Sequence, residues 1–270
     1  MAATRPLALV TGASAGIGRE LARVLAADHD LILTARREQE LHALASELSP
    51  AVSHVFPFDL ADPAAPRALF NVIHSAGLSV DVLVNNAGFG DLAPFAEADL
   101  PKMLRMIQVN VAALTELTGL FLPEMAARGR GRILNVGSVA GFQPGPFMAV
   151  YYATKAYVNS FSEALTCELE GTGVTVTCLA PGPTRSEFAA VSGMQHSRAF
   201  TVGSIADARL VAEAGVRGLR RGKRMVVTGW RNRMLLFAER FVPRGLVIRA
   251  VKWMQARRMV GRGSSPEIIG

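Results

Sequence analysis

The chain has 270 residues, 50% hydrophobic and 19% charged, which excludes a mostly disordered polypeptide and leaves ample apolar material for a single large core. Its net charge of +7 is unevenly spread: residues 217–262 hold fourteen Lys and Arg against one acid, Glu239, while residues 1–216 are net acidic. Two cysteines, Cys167 and Cys178, exclude a disulfide framework, and neither they nor His29, His42, His54, His74 and His196 show metal-ligand or triad spacing.

In chain order, apolar runs rich in Val, Ile and Leu alternate with longer segments of helical periodicity. Strands are expected at 7–11, 31–34, 52–56, 80–84, 132–136, 174–179 and 225–228. Helices are expected at 16–27, 38–48, 64–76, 100–127, 151–170 and 207–220. The strands do not alternate cleanly, as befits strands covered on both faces. Such alternation of strand and helix implies an α/β fold, a doubly wound parallel sheet of Rossmann type in one domain, spanning residues 1–230. No uninterrupted apolar stretch is long enough to span a bilayer, and the residues before the first strand are too few for a signal peptide. A reducing, cytoplasmic setting is expected.

The first strand runs into Thr11-Gly12-Ala13-Ser14-Ala15-Gly16-Ile17-Gly18 and then a helix. Gly12, Gly16 and Gly18 allow a tight turn and close approach of a pyrophosphate, which would meet free N–H groups at the helix start beside Ser14 and Ile17. The second strand ends at Arg36 and Arg37, where a carboxylate would hold the 2′-hydroxyl of NAD. Two guanidiniums with the Ser14 hydroxyl suit a 2′-phosphate instead, so NADP(H) is the expected cofactor. Further on, Tyr151 and Lys155 stand four apart on one helix face, and Ser138 ends the preceding strand at the crevice edge of the sheet.

With these residues assembled, the sequence resembles the short-chain dehydrogenase/reductase family. The matching pieces are 11–18, Asn85-Asn86-Ala87-Gly88, Asn110, Ser138, Tyr151-x-x-x-Lys155 and Pro181-Gly182-Pro183-Thr184, in family order across about 230 residues. The resemblance implies that Tyr151 is the general acid in reduction and the base in oxidation, and that Lys155 favours its phenolate and holds the nicotinamide ribose. It implies that Ser138 stabilises charge on the substrate oxygen, and that Asn110 supports a water relay to Lys155. Asn86 and Gly88 would line the cofactor, Asp59 would lie near the adenine, and Pro181 and Thr184 near the carboxamide. Epimerisation or dehydration on the same fold, and dinucleotide sensing without turnover, are the alternative readings. The family resemblance also suggests a homodimer or homotetramer through 100–127 and 151–170.

Phe89, Phe142, Phe147, Met148, Phe188 and Met194 are the expected pocket walls, favouring a small lipophilic ketone or alcohol. Residues 231–270 form a basic extension whose second half places Leu246, Val247, Ala250, Val251, Trp253 and Met254 on one arc. Such a helix can pack on its own domain, cover the pocket, meet a partner subunit or lie in a membrane interface. The expectation is an ordered tail that buries Leu246, Val251 and Trp253. No nucleic-acid-binding module is present in the sequence.

Overall fold

The computed structural model describes residues 5–195, 197–198 and 205–256. His196 and the expected helical continuation beyond 256 lie outside the described residues.

Seven strands form one parallel sheet: β1 (Leu7–Thr11), β2 (Asp30–Thr34), β3 (Ser53–Val55), β4 (Val82–Asn85), β5 (Gly131–Val136), β6 (Val174–Ala180) and β7 (Met225–Val227). Their order is β3-β2-β1-β4-β5-β6-β7, all neighbours parallel. Every residue of β1 and β4 is buried, which explains why these strands read as apolar runs. The strand order reverses between β1 and β4, and in such sheets the crevice beyond the carboxyl ends at that point takes the ligand.

Helices α1 (Gly16–Leu25), α2 (Glu38–Glu47) and α8 (Ala208–Arg220) cover one face; α3 (Ala65–Ser75), α5 (Leu114–Ala127) and α6 (Ala149–Glu168) cover the other, with α4 (Leu100–Ile107) leading into α5. In α1 the buried residues Gly18, Leu21, Ala22 and Leu25 repeat at helical spacing toward the sheet. Beneath the crevice, Asn85 Nδ2 donates to Thr118 Oγ1 and to Asn135 Oδ1, and Asn135 Nδ2 donates to Ser162 Oγ, at 3.0, 2.9 and 3.0 Å. This buried chain ties β4, β5, α5 and α6 together and fixes where the strands end.

The segment 100–127 is not one regular helix. Residues Gln108–Ala113 form a π turn between α4 and α5 that rotates Asn110 into the interior. One inserted residue is enough to shift the side-chain register by about 100°, and apolar periodicity alone does not reveal it. Leu100–Ala127 has the length and apolarity of a membrane-crossing helix, yet Met103, Met106, Leu117, Phe121 and Met125 are buried on the rest of the fold, as in a core helix.

After β7 come α9 (Trp230–Glu239) and α10 (Arg244–Gln255); the short α7 (Phe188–Val191) precedes α8. The described part of the tail, to residue 256, is helical, as the sequence implies, but the expected buried arc is rotated. Val251 and Gln255 are buried and Val247 and Met254 half-buried, whereas Leu246 and Trp253 are more than half exposed. The contact seam follows 247-251-254-255 because a cluster of Leu92, Ala140, Met148, Tyr152 and Met194 on the sheet-bearing body receives that stripe.

Candidate active site

A cleft of about 730 Å3 opens over the carboxyl ends of the strands. The glycine turn forms one wall. Gly12 has φ +66°, and a Cβ there would lie 2.8 Å from Asn86 Nδ2 and 3.0 Å from Ala87 Cα. Thr11 Oγ1 accepts from the N–H groups of Asn86 and Ala87, and Asn86 Nδ2 donates to Thr11 O, so the turns after β1 and β4 form one unit. At Gly18 a Cβ would overlap both Asn86 and the Gly12 carbonyl. The start of α1, at Ala15, has no side-chain cap, which leaves its first N–H groups for a ligand.

These features fit a dinucleotide. Gly12, Ser14, Gly16, Ile17 and Gly18 border the cleft together with Arg36, Arg37, Asp59, Asn86, Gly88, Pro181 and Thr184. Thr34 Oγ1 is buried at the same border with no partner among the described residues, a donor and acceptor in reserve. The two arginines differ. Arg37 donates to Ser14 Oγ at 3.3 Å and pairs with Glu187 at 2.9 Å across the cleft, while Arg36 is exposed and has no ion pair among the described residues.

Ser138, Tyr151 and Lys155 meet at the floor of the cleft, all bordering it. Asn159 clamps the backbone of Ser138: Nδ2 donates to Ser138 O at 3.0 Å and Oδ1 accepts from Ser138 N at 3.4 Å. Side chains at Gly137 and Gly141 would overlap Asn159, so these glycines let the strand end approach α6. Lys155 Nζ donates to Val136 O at 2.7 Å and lies 5.9 Å from the centre of the Tyr151 ring. Burial lowers the Lys155 ammonium to about 8 and raises the Tyr151 phenol, against a hydrogen bond with Ser138 that favours the phenolate. In this arrangement Tyr151 is held protonated, and Lys155 is a cation on the edge of titration.

Asn110 is buried and does not border the cleft. Its Nδ2 donates to Phe89 O and Thr154 Oγ1, both at 3.0 Å, and its Oδ1 accepts from Phe89 N at 3.1 Å. A Cβ on Gly88 would lie 3.0 Å from Asn110 Oδ1 and 3.6 Å from Lys155 Nζ, so the amide and the ammonium both stand close against this glycine.

Phe89, Met148, Phe188 and Met194 border the cleft as expected. Phe142 does not: it is 40% exposed, because the short 3-10 turn Val139–Phe142 after Ser138 carries its ring outward. Phe147 stands behind the wall, at φ +66°. Sequence reasoning passed over Gln143, Glu187 and Gln255 as cleft residues, and the cations Lys102 and Arg105 that border the same cleft. Gln255 carried a faint signal, a polar residue set one turn after Val251 on the apolar stripe of α10.

A profile described as short chain dehydrogenase matches residues 6–196, which include the glycine turn, Asn110, Ser138, Tyr151 and Lys155. The chain belongs to the short-chain dehydrogenase family. Within it, the chain is 43% identical over 190 residues to sulfoacetaldehyde reductase 2 of Chromohalobacter salexigens, an alignment covering 68% of this chain and 75% of that one. It is 40% identical over 178 residues to an NADP-dependent 3-hydroxy acid dehydrogenase of Salmonella typhi, covering 65% and 71%. A solved short-chain dehydrogenase from Sphingobium yanoikuyae in complex with NADPH superposes with a TM-score of 0.78 at 30% identity, covering 96% and 98%. This short-chain dehydrogenase therefore shares its fold with relatives almost end to end, but α9 and α10 lie beyond the residues that the family profile matches.

Proposed function

We propose that this NADP-dependent oxidoreductase moves a hydride between the nicotinamide and an uncharged, lipophilic ketone or secondary alcohol, with Ser138, Tyr151 and Lys155 as its reacting centre. The observation that carries this reading is the convergence of those three side chains at the floor of one cleft whose other end holds the glycine turn and Arg36 and Arg37. The cofactor, when bound, supplies the hydride in reduction and takes it in oxidation. Ser138 Oγ donates to the substrate oxygen and supports the negative charge that grows there. Tyr151, kept protonated by burial, gives its Oη proton to that oxygen in reduction. In oxidation the same phenol must lose its proton first; the adjacent Lys155 cation and the Ser138 hydrogen bond favour the phenolate. Asn110 holds Phe89 and Thr154 and so fixes the wall beside Lys155. Arg36, which has no ion pair among the described residues, takes the 2′-phosphate, with Ser14 and Arg37 beside it.

The test is Tyr151→Phe. The ring stays and the transferable proton goes, so NADPH consumption should fall by roughly 100-fold or more while NADPH still binds. Activity within a few-fold of the parent would remove Tyr151 from the reaction.

A second reading concerns the tail's outer surface. Trp230, Met234, Leu235, Phe237, Phe241 and Trp253 are exposed there among Arg231, Arg233, Arg240, Arg244 and Arg249. Exposed aromatics amid a net excess of cations, with Glu239 the one acid among them, suit an anionic membrane interface. A two-fold self-interface would set the same cations against each other. Co-sedimentation with phosphatidylglycerol vesicles, and not with phosphatidylcholine vesicles, is the expected result; equal recovery with both would remove it. Self-association is assigned instead to α4 and α6, where Leu104, Ile107 and Tyr157 are exposed; the mass in solution should be that of a dimer or tetramer.

A further inference from the structure

The apolar end of the cleft contains a pair of polar groups whose hydrogen-bonding capacity is not used up. Gln255 is 2% exposed on the inner face of α10, and its Nε2 donates to the Tyr152 hydroxyl at 2.6 Å. Its Oε1 is buried without a partner among the described residues. Turning the amide over exchanges its two ends and leaves the NH2 unpaired instead, so either orientation has one polar end to spare. In the orientation described, the Tyr152 hydroxyl accepts from Gln255 and keeps its own hydrogen to donate. A buried amide with an unmet bond weakens the fold unless something else meets that need. Both residues border the same cleft as Tyr151.

The pair is also built with care. Any side chain at Gly145 would overlap the Tyr152 ring, so backbone lies flat against it. Phe147, a non-glycine residue at φ +66°, gives its carbonyl to Ala93 N at 2.9 Å and turns the chain into α6 just ahead of Tyr152. The Tyr152 ring stands edge-on to that of Tyr151, with centres 6.1 Å apart, so the pair is next to the reacting phenol. Around it are Leu92, Ala140, Met148, Met194 and Val251, none of them charged.

We propose that Tyr152 and Gln255 form a second recognition point in the substrate cleft, holding an uncharged hydroxyl or keto oxygen of the substrate apart from the carbonyl that reacts. The inference rests on the reading of the cleft as a site of carbonyl reduction. The point itself offers only neutral dipoles, those of Tyr152 and Gln255 among apolar neighbours, and suits a neutral oxygen; Lys102 and Arg105 border the same cleft but are not among those neighbours. The substrate class is therefore a ketone that carries a second, uncharged oxygen. Sulfoacetaldehyde and 3-hydroxy acids, the substrates in the names of the two relatives above, carry an anion, and Gln255 lies past the residues 6–196 that the family profile matches.

The experiment compares kcat/KM for NADPH-dependent reduction of 2-alkanones with that for the same ketones bearing a hydroxyl at successive chain positions. The parent should prefer at least one hydroxylated member over its plain counterpart. Gln255→Met and Tyr152→Phe, which keep most of the volume, should each cut that preference by roughly 10- to 100-fold. Melting temperature and NADPH binding are measured on each variant, and if Gln255→Met does not fold, Tyr152→Phe alone decides. A parent that reduces the plain and hydroxylated ketones with no preference, or variants that lose activity equally on both, would overturn the recognition point and leave the reductase reading intact. No NADPH oxidation with any ketone would overturn the reductase reading itself, and this inference with it.

Discussion

Replacing Lys155 by Met should stabilise the cofactor-free protein while disabling it. Burial lowers the ammonium from 10.5 to about 8, so at neutral pH the folded chain carries a charge that it would rather not hold. At ~1.4 kcal/mol per pH unit, the shift amounts to about 3 kcal/mol of destabilisation. Methionine forfeits the hydrogen bond to Val136 O, worth about 1 kcal/mol, which leaves a net gain of about 2 kcal/mol. For a chain of this size that corresponds to a rise in melting temperature of roughly 4–8 °C. The sign with pH follows from the direction of the shift. Below pH 8 both folded and unfolded lysines are protonated and the cost is fully present; between about 8 and 10.5 folding expels the proton and the cost fades. The advantage of the Met variant should therefore be greatest at pH 7 and much smaller near pH ~10. Paired thermal melts of parent and variant at fixed ionic strength measure it. A variant that melts below the parent at pH 7, or whose advantage does not shrink with rising pH, would refute the argument that burial of this ammonium governs its titration.

Arg36→Asp should reverse the preference for NADP(H) over NAD(H), by removing a cation and adding a repelling carboxylate at the end of β2; Kd values for both cofactors at low salt check it, and an unchanged ratio would remove Arg36 from the phosphate site. Gly12→Ala should cost about 1–3 kcal/mol and weaken NADPH binding, since its φ of +66° and the approach of Asn86 leave no room for a methyl group; unchanged melting and binding would contradict it. Ending the chain after Val242 should raise KM for ketones far more than Kd for NADPH, because α10 brings Gln255 to the cleft and packs on Met148 and Met194 but touches no part of the glycine turn; equal effects on both would contradict that division.

Much of the fold was legible because its strands are buried on both faces and its helices on one, two patterns that composition and period separate cleanly. The strand and helix limits moved by only a residue or two in most elements, and the glycine turn, Ser138, Tyr151 and Lys155 fall around one cleft. Apart from Gln255, what escaped had no local signature. The π turn at Asn110 changes register without changing apolar content. The rotation of α10 depends on the stripe formed by Tyr152, Met148 and Met194 from distant parts of the chain, which no reading of residues 244–255 contains. The Arg37–Glu187 bridge joins residues 150 apart, and its partner could not be chosen from sequence.

The placement of Gln255 has a consequence for how such a protein changes its diet. The cofactor half and the proton-handling residues are contributed by the first five-sixths of the chain, while one wall of the substrate half arrives on a short helix attached through a single connection after β7. Substitutions along the inner stripe of that helix alter what fits against Tyr152 without disturbing any group that handles hydride or proton. Exchanging the helix between related chains is then a route to new selectivity that inherits a working reaction centre, provided the incoming stripe still seals against Met148 and Met194.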